Sequence, residues 1–112
     1  MILKQAIFIG ATKTLIKRFP EDARRQAGWQ LQMVQSGLEP ADWKPMATVA
    51  PGVREIRIHQ PQEYRIIYVA RFPEAIYILH AFEKKTEKTP QRHIDTARAA
   101  YAEVQKKRKA KH

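Results

Sequence analysis

The sequence predicts an α+β fold, a small antiparallel sheet with a helical hairpin before it and a single helix after it. Three observations lead there. The chain has 112 residues, close to the commonest size of one domain, and 44% of them are hydrophobic, enough for a core. Between Val53 and Phe82, three runs rich in Ile, Val, Tyr and Phe are separated by connections too short for crossover helices, which implies an antiparallel meander. On either side of that block, apolar residues recur at helical spacing.

In chain order the expected arrangement is β-α-α-β-β-β-α. Lys4 to Ile9 reads as a short first strand closed by Gly10. Thr12 suits the N-cap of a short helix through Phe19. Pro20 stops that helix and suits the first position of the next, where its missing N–H costs nothing. Glu21 and Asp22 follow where the helix dipole favours acids. Ala23, Ala27, Gln30, Leu31 and Val34 carry the second helix to Ser36, and Gly37 ends it.

Leu38 to Gly52, with Pro40, Pro45 and Pro51, reads as a long irregular stretch anchored by Trp43. Val53–His59, Tyr64–Arg71 and Ala75–Phe82 are the three meander strands. In the first of them Ile56 and Ile58 point one way, and Glu55, Arg57 and His59 the other, so one face is wet or functional. A charged connector, Glu83–Pro90, leads to the last helix, with Thr89 as N-cap and Pro90 at its first position. Its apolar stripe is Ile94, Ala97, Tyr101 and Val104. From about 106 to 112 the residues form a basic tail without apolar partners, which is expected to fray.

The chain carries 21 Lys+Arg against 11 Asp+Glu, a net charge of +10 that attracts polyanions. RNA, DNA, an acidic protein and an anionic membrane all fit that field. No run reaches the roughly 18 apolar residues of a membrane span, and Met1–Ile7 lacks the pattern of a signal peptide. With no cysteine, the composition suits a reducing cytoplasm. No phosphate-binding glycine loop, HExxH or nucleophile elbow occurs. His59, His80, His93 and His112 are not spaced as a metal site, so no metal or other cofactor is expected.

What remains is a set of cations on adjacent strands. Arg54, Arg57 and His59 lie on the first meander strand, Tyr64 and Arg65 open the second, and His80 nears the end of the third, just before Lys84, Lys85 and Lys88. An antiparallel meander can gather Arg57, His59, Arg65 and Lys84 or Lys85 at one end of the sheet. Such a cluster suits phosphate chemistry. When a ribose 2′-OH attacks its own 3′ phosphorus, charge grows on the equatorial oxygens, and preorganised cations stabilise it. A base must take the 2′-OH proton and an acid must protonate the leaving 5′ oxygen. His59 or His80 suits either task, and a lysine crowded by like charges is another candidate base. Each residue also has a plainer reading. An arginine at a strand start and the Lys84–Lys85 pair suit solvated edges, His80 a satisfied half-buried position, and Glu55 an ion pair with a neighbouring arginine. His93 and His112 read as bystanders, and Trp43 and Tyr101 as core.

The residues Trp43-Lys44-Pro45-Met46, Gly52 to Ile58, Tyr64-Arg65-Ile66-Ile67-Tyr68, Leu79 to Thr86 and Lys88-Thr89-Pro90 resemble the phage-derived Gp49-like family, within the RelE/ParE toxin superfamily and close to the HigB toxins. The likeness covers nearly the whole chain and is weakest before Leu38 and in the tail. It implies a RelE-like fold and the toxin of a type II toxin–antitoxin pair. That toxin would cut translated mRNA on the ribosome without a metal and leave a 2′,3′-cyclic phosphate, so inhibiting protein synthesis. A small helix-turn-helix antitoxin would be its partner.

Carried over by position, Arg65 matches the transition-state arginine at the "YR" strand start. Lys85, or its neighbour Lys84, matches the basic residue after the last strand. Arg54 and Arg57 match the basic residues of the preceding strand. With His59 these make the expected catalytic set of Arg65, Lys85, Lys84, Arg57 and His59, and Arg54, Lys88, His80 and Lys44 are expected to bind RNA. The C-terminal acid/base cluster of some relatives has no counterpart. That gap leaves open a non-enzymatic inhibitor of DNA gyrase, as among ParE relatives, or a silent module that binds only an antitoxin or nucleic acid.

Overall fold

The computed structural model describes residues 3–111, so the expectations for Met1, Ile2 and His112 lie outside it. It is an α+β structure with strands β1 (Gln5–Phe8), β2 (Trp43–Pro45), β3 (Val53–Ile58), β4 (Tyr64–Val69) and β5 (Ala75–Glu83), and helices α1 (Thr12–Lys17), α2 (Glu21–Gln35) and α3 (Gln91–Ala110). All five strands form one sheet in the order β1-β5-β4-β3-β2. The meander β3–β4–β5 is antiparallel throughout, as its short connections require.

The expected arrangement needs correction at several points, the helix N-caps included, which are Ala11 and Pro90 in place of Thr12 and Thr89. The sheet is mixed, because β1 lies parallel to β5, with Gln5 opposite Ala75 and Phe8 opposite Ile78. A parallel neighbour needs a long crossover, and here two helices and three strands supply it. The irregular stretch after Leu38 contains the extra strand β2, antiparallel to β3. It is three residues long and ends in Pro45, which an edge strand tolerates and a central strand does not. Pro20 and Pro90 flank their helices instead of opening them, because ψ is extended at both (156° and 143°). Finally, the expected tail is helical as far as Ala110. Arg108 lies 3.8 Å over the Phe72 ring and donates to Glu74 at 2.7 Å, which gives the last turns of α3 a partner the sequence does not reveal.

Helices cover both faces of the sheet. α1 and α2 pack Ile16, Phe19, Ala23, Ala27, Leu31 and Val34 on Ile56, Ile58, Ile66, Tyr68, Ile76 and Ile78. α3 packs Ala97, Ala100, Tyr101 and Val104 on the opposite side, against Val53, Ile67, Val69, Tyr77 and Leu79. β4 is therefore buried along its whole length, and its sequence YRIIYV shows no apolar–polar alternation, Arg65 being its one charged residue. Burying each of its aliphatic side chains contributes about 1.5–3 kcal/mol. A register shift at Ile67/Tyr68 leaves Leu79 as the extra residue of β5. The bulge re-aims the strand so that His80, opposite Ile67, meets the α3 face.

Candidate functional site

The site is built by strand register. Arg57 on β3 lies directly opposite Arg65 on β4, and Arg65 lies opposite Phe82 on β5. Cross-strand partners share a face, so these three residues form a row on the α3 side of the sheet. The next row holds Lys44 on β2, Glu55 on β3 and Ile67 on β4. The meander thus brings Arg57 and Arg65 side by side.

Two like charges on facing strand positions call for anions, and the structure supplies them to Arg65. Arg65 is only 3% exposed. Its Nη2 donates to Glu63 Oε1 at 3.0 Å, its Nη1 to the Tyr64 carbonyl at 3.0 Å, and its Nε lies 3.8 Å from Glu55 Oε1. The Nε of Arg65 and that of Arg57 are buried with no hydrogen-bond partner among the described residues. Each guanidinium thus keeps one donor unused in the interior, where an unmade bond is costly.

His59 stands just past the end of β3. The tight connection from Ile58 to its partner Tyr64 sets His59 across from Glu63, whose Oε1 is 2.9 Å from Nδ1. On the other side, Nε2 meets Asp42 Oδ2 at 2.5 Å. Asp42 is held there because its carbonyl accepts the Arg57 N–H at 2.9 Å, extending the β2–β3 pairing by one bond. The Asp42 bond and then the Glu63 bond raise the His59 pKa above 6.5, outweighing some desolvation. In return, the bond to His59 lowers the pKa values of both Asp42 and Glu63. The arrangement favours an imidazolium between two carboxylates. It faces an open cleft of about 530 Å³ lined by Arg25, Gln26, Gln30, Asp42, Arg57 and His59, among others.

The remaining expected site residues lie elsewhere or at the margin. The Lys84 backbone N–H donates to the Glu63 carbonyl at 2.7 Å, which places this half-buried residue at the margin of the cluster. Lys85 opens instead onto a second cleft of about 360 Å³, with His80, Phe82, Arg92 and His93. Lys88 and Lys44 are exposed. Arg54 points to the other face. It lies 4.0 Å over the Trp43 ring and donates to Glu39 at 2.8 Å.

His80 lies one row along the same face from Arg65 and is buried at 7% exposure, with its Nε2 2.8 Å from Nδ1 of His93. His93, expected to be a bystander, stacks on Phe82 at 3.9 Å with the rings 9° from parallel. Desolvation, then the charge His93 would carry, pushes the His80 pKa down to about 4, and desolvation lowers that of His93. A pair in which desolvation disfavours charge on both rings suits packing better than proton transfer at neutral pH.

Asp42 and Glu63 were not among the residues the sequence singled out. The spacing of His59 and Glu63 across a turn was a weak signal for one of them. Nothing in the sequence brings Asp42 to His59, because that contact depends on β2.

A search of the curated proteins finds no match to this chain. The sequence pattern of the family described as phage derived protein Gp49-like matches residues 14–102, which span α2, the whole of β2–β5 and most of α3. That stretch includes every residue of the arginine row and of the His59 cluster, and it shows that this chain belongs to the Gp49-like family.

Proposed function

We propose that this chain is the toxin of a type II toxin–antitoxin pair and that it inhibits protein synthesis by cutting translated mRNA without a metal. The observation that carries the proposal is the cross-strand pair Arg57–Arg65. Two guanidiniums fixed by strand register can hold the non-bridging oxygens of a phosphodiester and stabilise the charge that grows there as the 2′-OH attacks. The net charge of +10 draws RNA to the surface. Membership of the Gp49-like family, with its likeness to HigB toxins, supports the toxin reading. Lys84, beside Glu63, extends the cationic margin. The partner is a small antitoxin, in this branch a helix-turn-helix protein, and the compartment is the cytoplasm where mRNA is translated. Among the described residues no helix is long and apolar enough to cross a membrane.

Induced expression should arrest growth, and purified protein added to a translation reaction should yield transcripts ending in a 2′,3′-cyclic phosphate. Arg57→Ala should lower the cleavage rate about 100-fold, the usual cost of removing one preorganised oxyanion donor. An Arg65→Ala, Lys85→Ala double variant that remains fully toxic would refute the site.

One observation favours a second reading. Arg65 is almost wholly buried and already paired with Glu63, so its guanidinium could serve as scaffold. The chain would then bind and block a target, as ParE relatives block DNA gyrase, or bind only antitoxin or nucleic acid. Inhibited supercoiling with intact transcripts would favour the gyrase form of this reading.

A further inference from the structure

The arginine row can stabilise charge but cannot move protons, and the C-terminal acid/base cluster of some relatives has no counterpart in this chain. From the geometry around the cleft at the end of β3 we infer that Asp42 is the general base, His59 the general acid and Glu63 the residue that positions His59. This inference rests on the RNA-cleavage reading above.

Three features carry it. First, His59 is held from two sides, with Nδ1 2.9 Å from Glu63 and Nε2 on Asp42. Of the two carboxylates only Asp42 lines the cleft, together with Arg57 and His59. Substrate entering there meets Nε2 and Asp42, and Glu63 stays behind on Nδ1. That division follows the general pattern in which one ring nitrogen is oriented so that the other can react. Second, the same hydrogen bond favours the protonated imidazole and the ionised Asp42, so the pair starts with the proton on the ring and a carboxylate free to accept one. Third, two cations line the same cleft: Arg57, on β3 two residues before His59, and Arg25 of α2, which is bonded to Glu21 at 2.9 Å.

The charged groups facing His59 are Asp42 before β2, Glu63 before β4, Arg57 on β3 and Arg65 on β4. Asp22 and Arg25 of α2 stand across the cleft.

The step balances as follows. Asp42 takes the proton of the ribose 2′-OH as its oxygen forms a bond to phosphorus. The bond from phosphorus to the 5′ oxygen breaks, and Nε2 of His59 gives its proton to that oxygen. The products are a 2′,3′-cyclic phosphate and a free 5′-OH. Transfer of the proton from Asp42 to Nε2, along the hydrogen bond already present, restores the resting pair.

The test is the pH dependence of single-turnover RNA cleavage by the full chain, alongside NMR titration of the His59 ring. The wild type should give a bell whose alkaline limb lies above the ordinary histidine range. His59→Ala and Asp42→Asn should each lose about 100-fold or more in rate. Asp42→Asn should also lose the acidic limb. Glu63→Gln should move both the alkaline limb and the His59 titration to lower pH, with the half-saturating RNA concentration little changed, a pattern that mere loss of structure does not produce. If the wild type cuts RNA and His59→Ala cuts at the full rate, the inference fails while the function stands. If Glu63→Gln leaves both limb and titration in place, the positioning role fails. A wild type that cuts no RNA overturns the function and this inference with it.

Discussion

His80 and His59 show how one side chain takes opposite protonation states within a single sheet. His80 is enclosed by Phe82 and His93, and the interior penalises its charge down to about pH 4. His59 is half-exposed between two carboxylates, which favour its charge. The consequences for stability run in opposite directions. For His80, the unfolded chain binds a proton below about pH 6.5 and the folded chain does so only below about pH 4. Its contribution is therefore fully present above the ordinary value and is lost as pH falls through that window. For His59 the contribution is present below 6.5 and lost as pH rises through the raised value, and solvent screening makes it small. The His80 term should dominate. Urea unfolding should show the wild type losing about 2 kcal/mol between pH 7 and pH 5 relative to His80→Phe. Equal pH dependence in the two proteins would show that His80 does not titrate as its burial requires.

At the scale of elements, the short edge strand β2 matters more than its three residues suggest. It closes the sheet, seats Trp43 under Arg54 and carries Asp42 to His59. The turn that joins it to β3 depends on Gly52, at φ +81°, where an added Cβ would lie 2.6 Å from Cδ of Arg71. Gly52→Ala should destabilise the fold by about 1–2 kcal/mol from the backbone conformation alone, with some further cost for moving the Arg71 chain. Because the turn sets the β2–β3 pairing, the same variant should weaken the Asp42–His59 contact and shift the His59 NMR titration downward. A thermal melt and a titration of the same sample check both outcomes, and an unchanged melting temperature would contradict the first.

At the scale of the whole molecule, the excess of cations is partly spent within the fold. Arg65, Arg54 and Arg108 are paired with Glu63, Glu39 and Glu74. Lys44, Lys85, Lys88 and much of the outer face of α3 remain exposed. This distribution predicts salt-sensitive association with RNA of any sequence. Affinity for a mixed-sequence single strand should fall about tenfold or more between roughly 50 and 200 mM salt. Fluorescence anisotropy measures it, and a flat response would show that the surface charge does not engage phosphates.

The sequence by itself determined the α+β class, the three meander strands, both long helices and membership of the Gp49-like family. Those features are written in local periodicity and in residues close along the chain, such as the YRIIY strand and the KTP before α3. It also allowed Arg57 and Arg65 to converge at one end of the sheet, since a short antiparallel connection leaves few registers, and the structure sets them directly opposite each other. The tertiary structure alone decided the parallel pairing of β1 with β5, the strand β2, the bulge at Leu79 that turns His80 onto His93, and the seat of Arg108 on Phe72. Each is a contact between segments far apart in the chain, made by side chains whose local pattern is ordinary. Asp42 belongs with them. It lies 17 positions from His59, in a stretch without periodicity, and only closure of the sheet edge brings the two together.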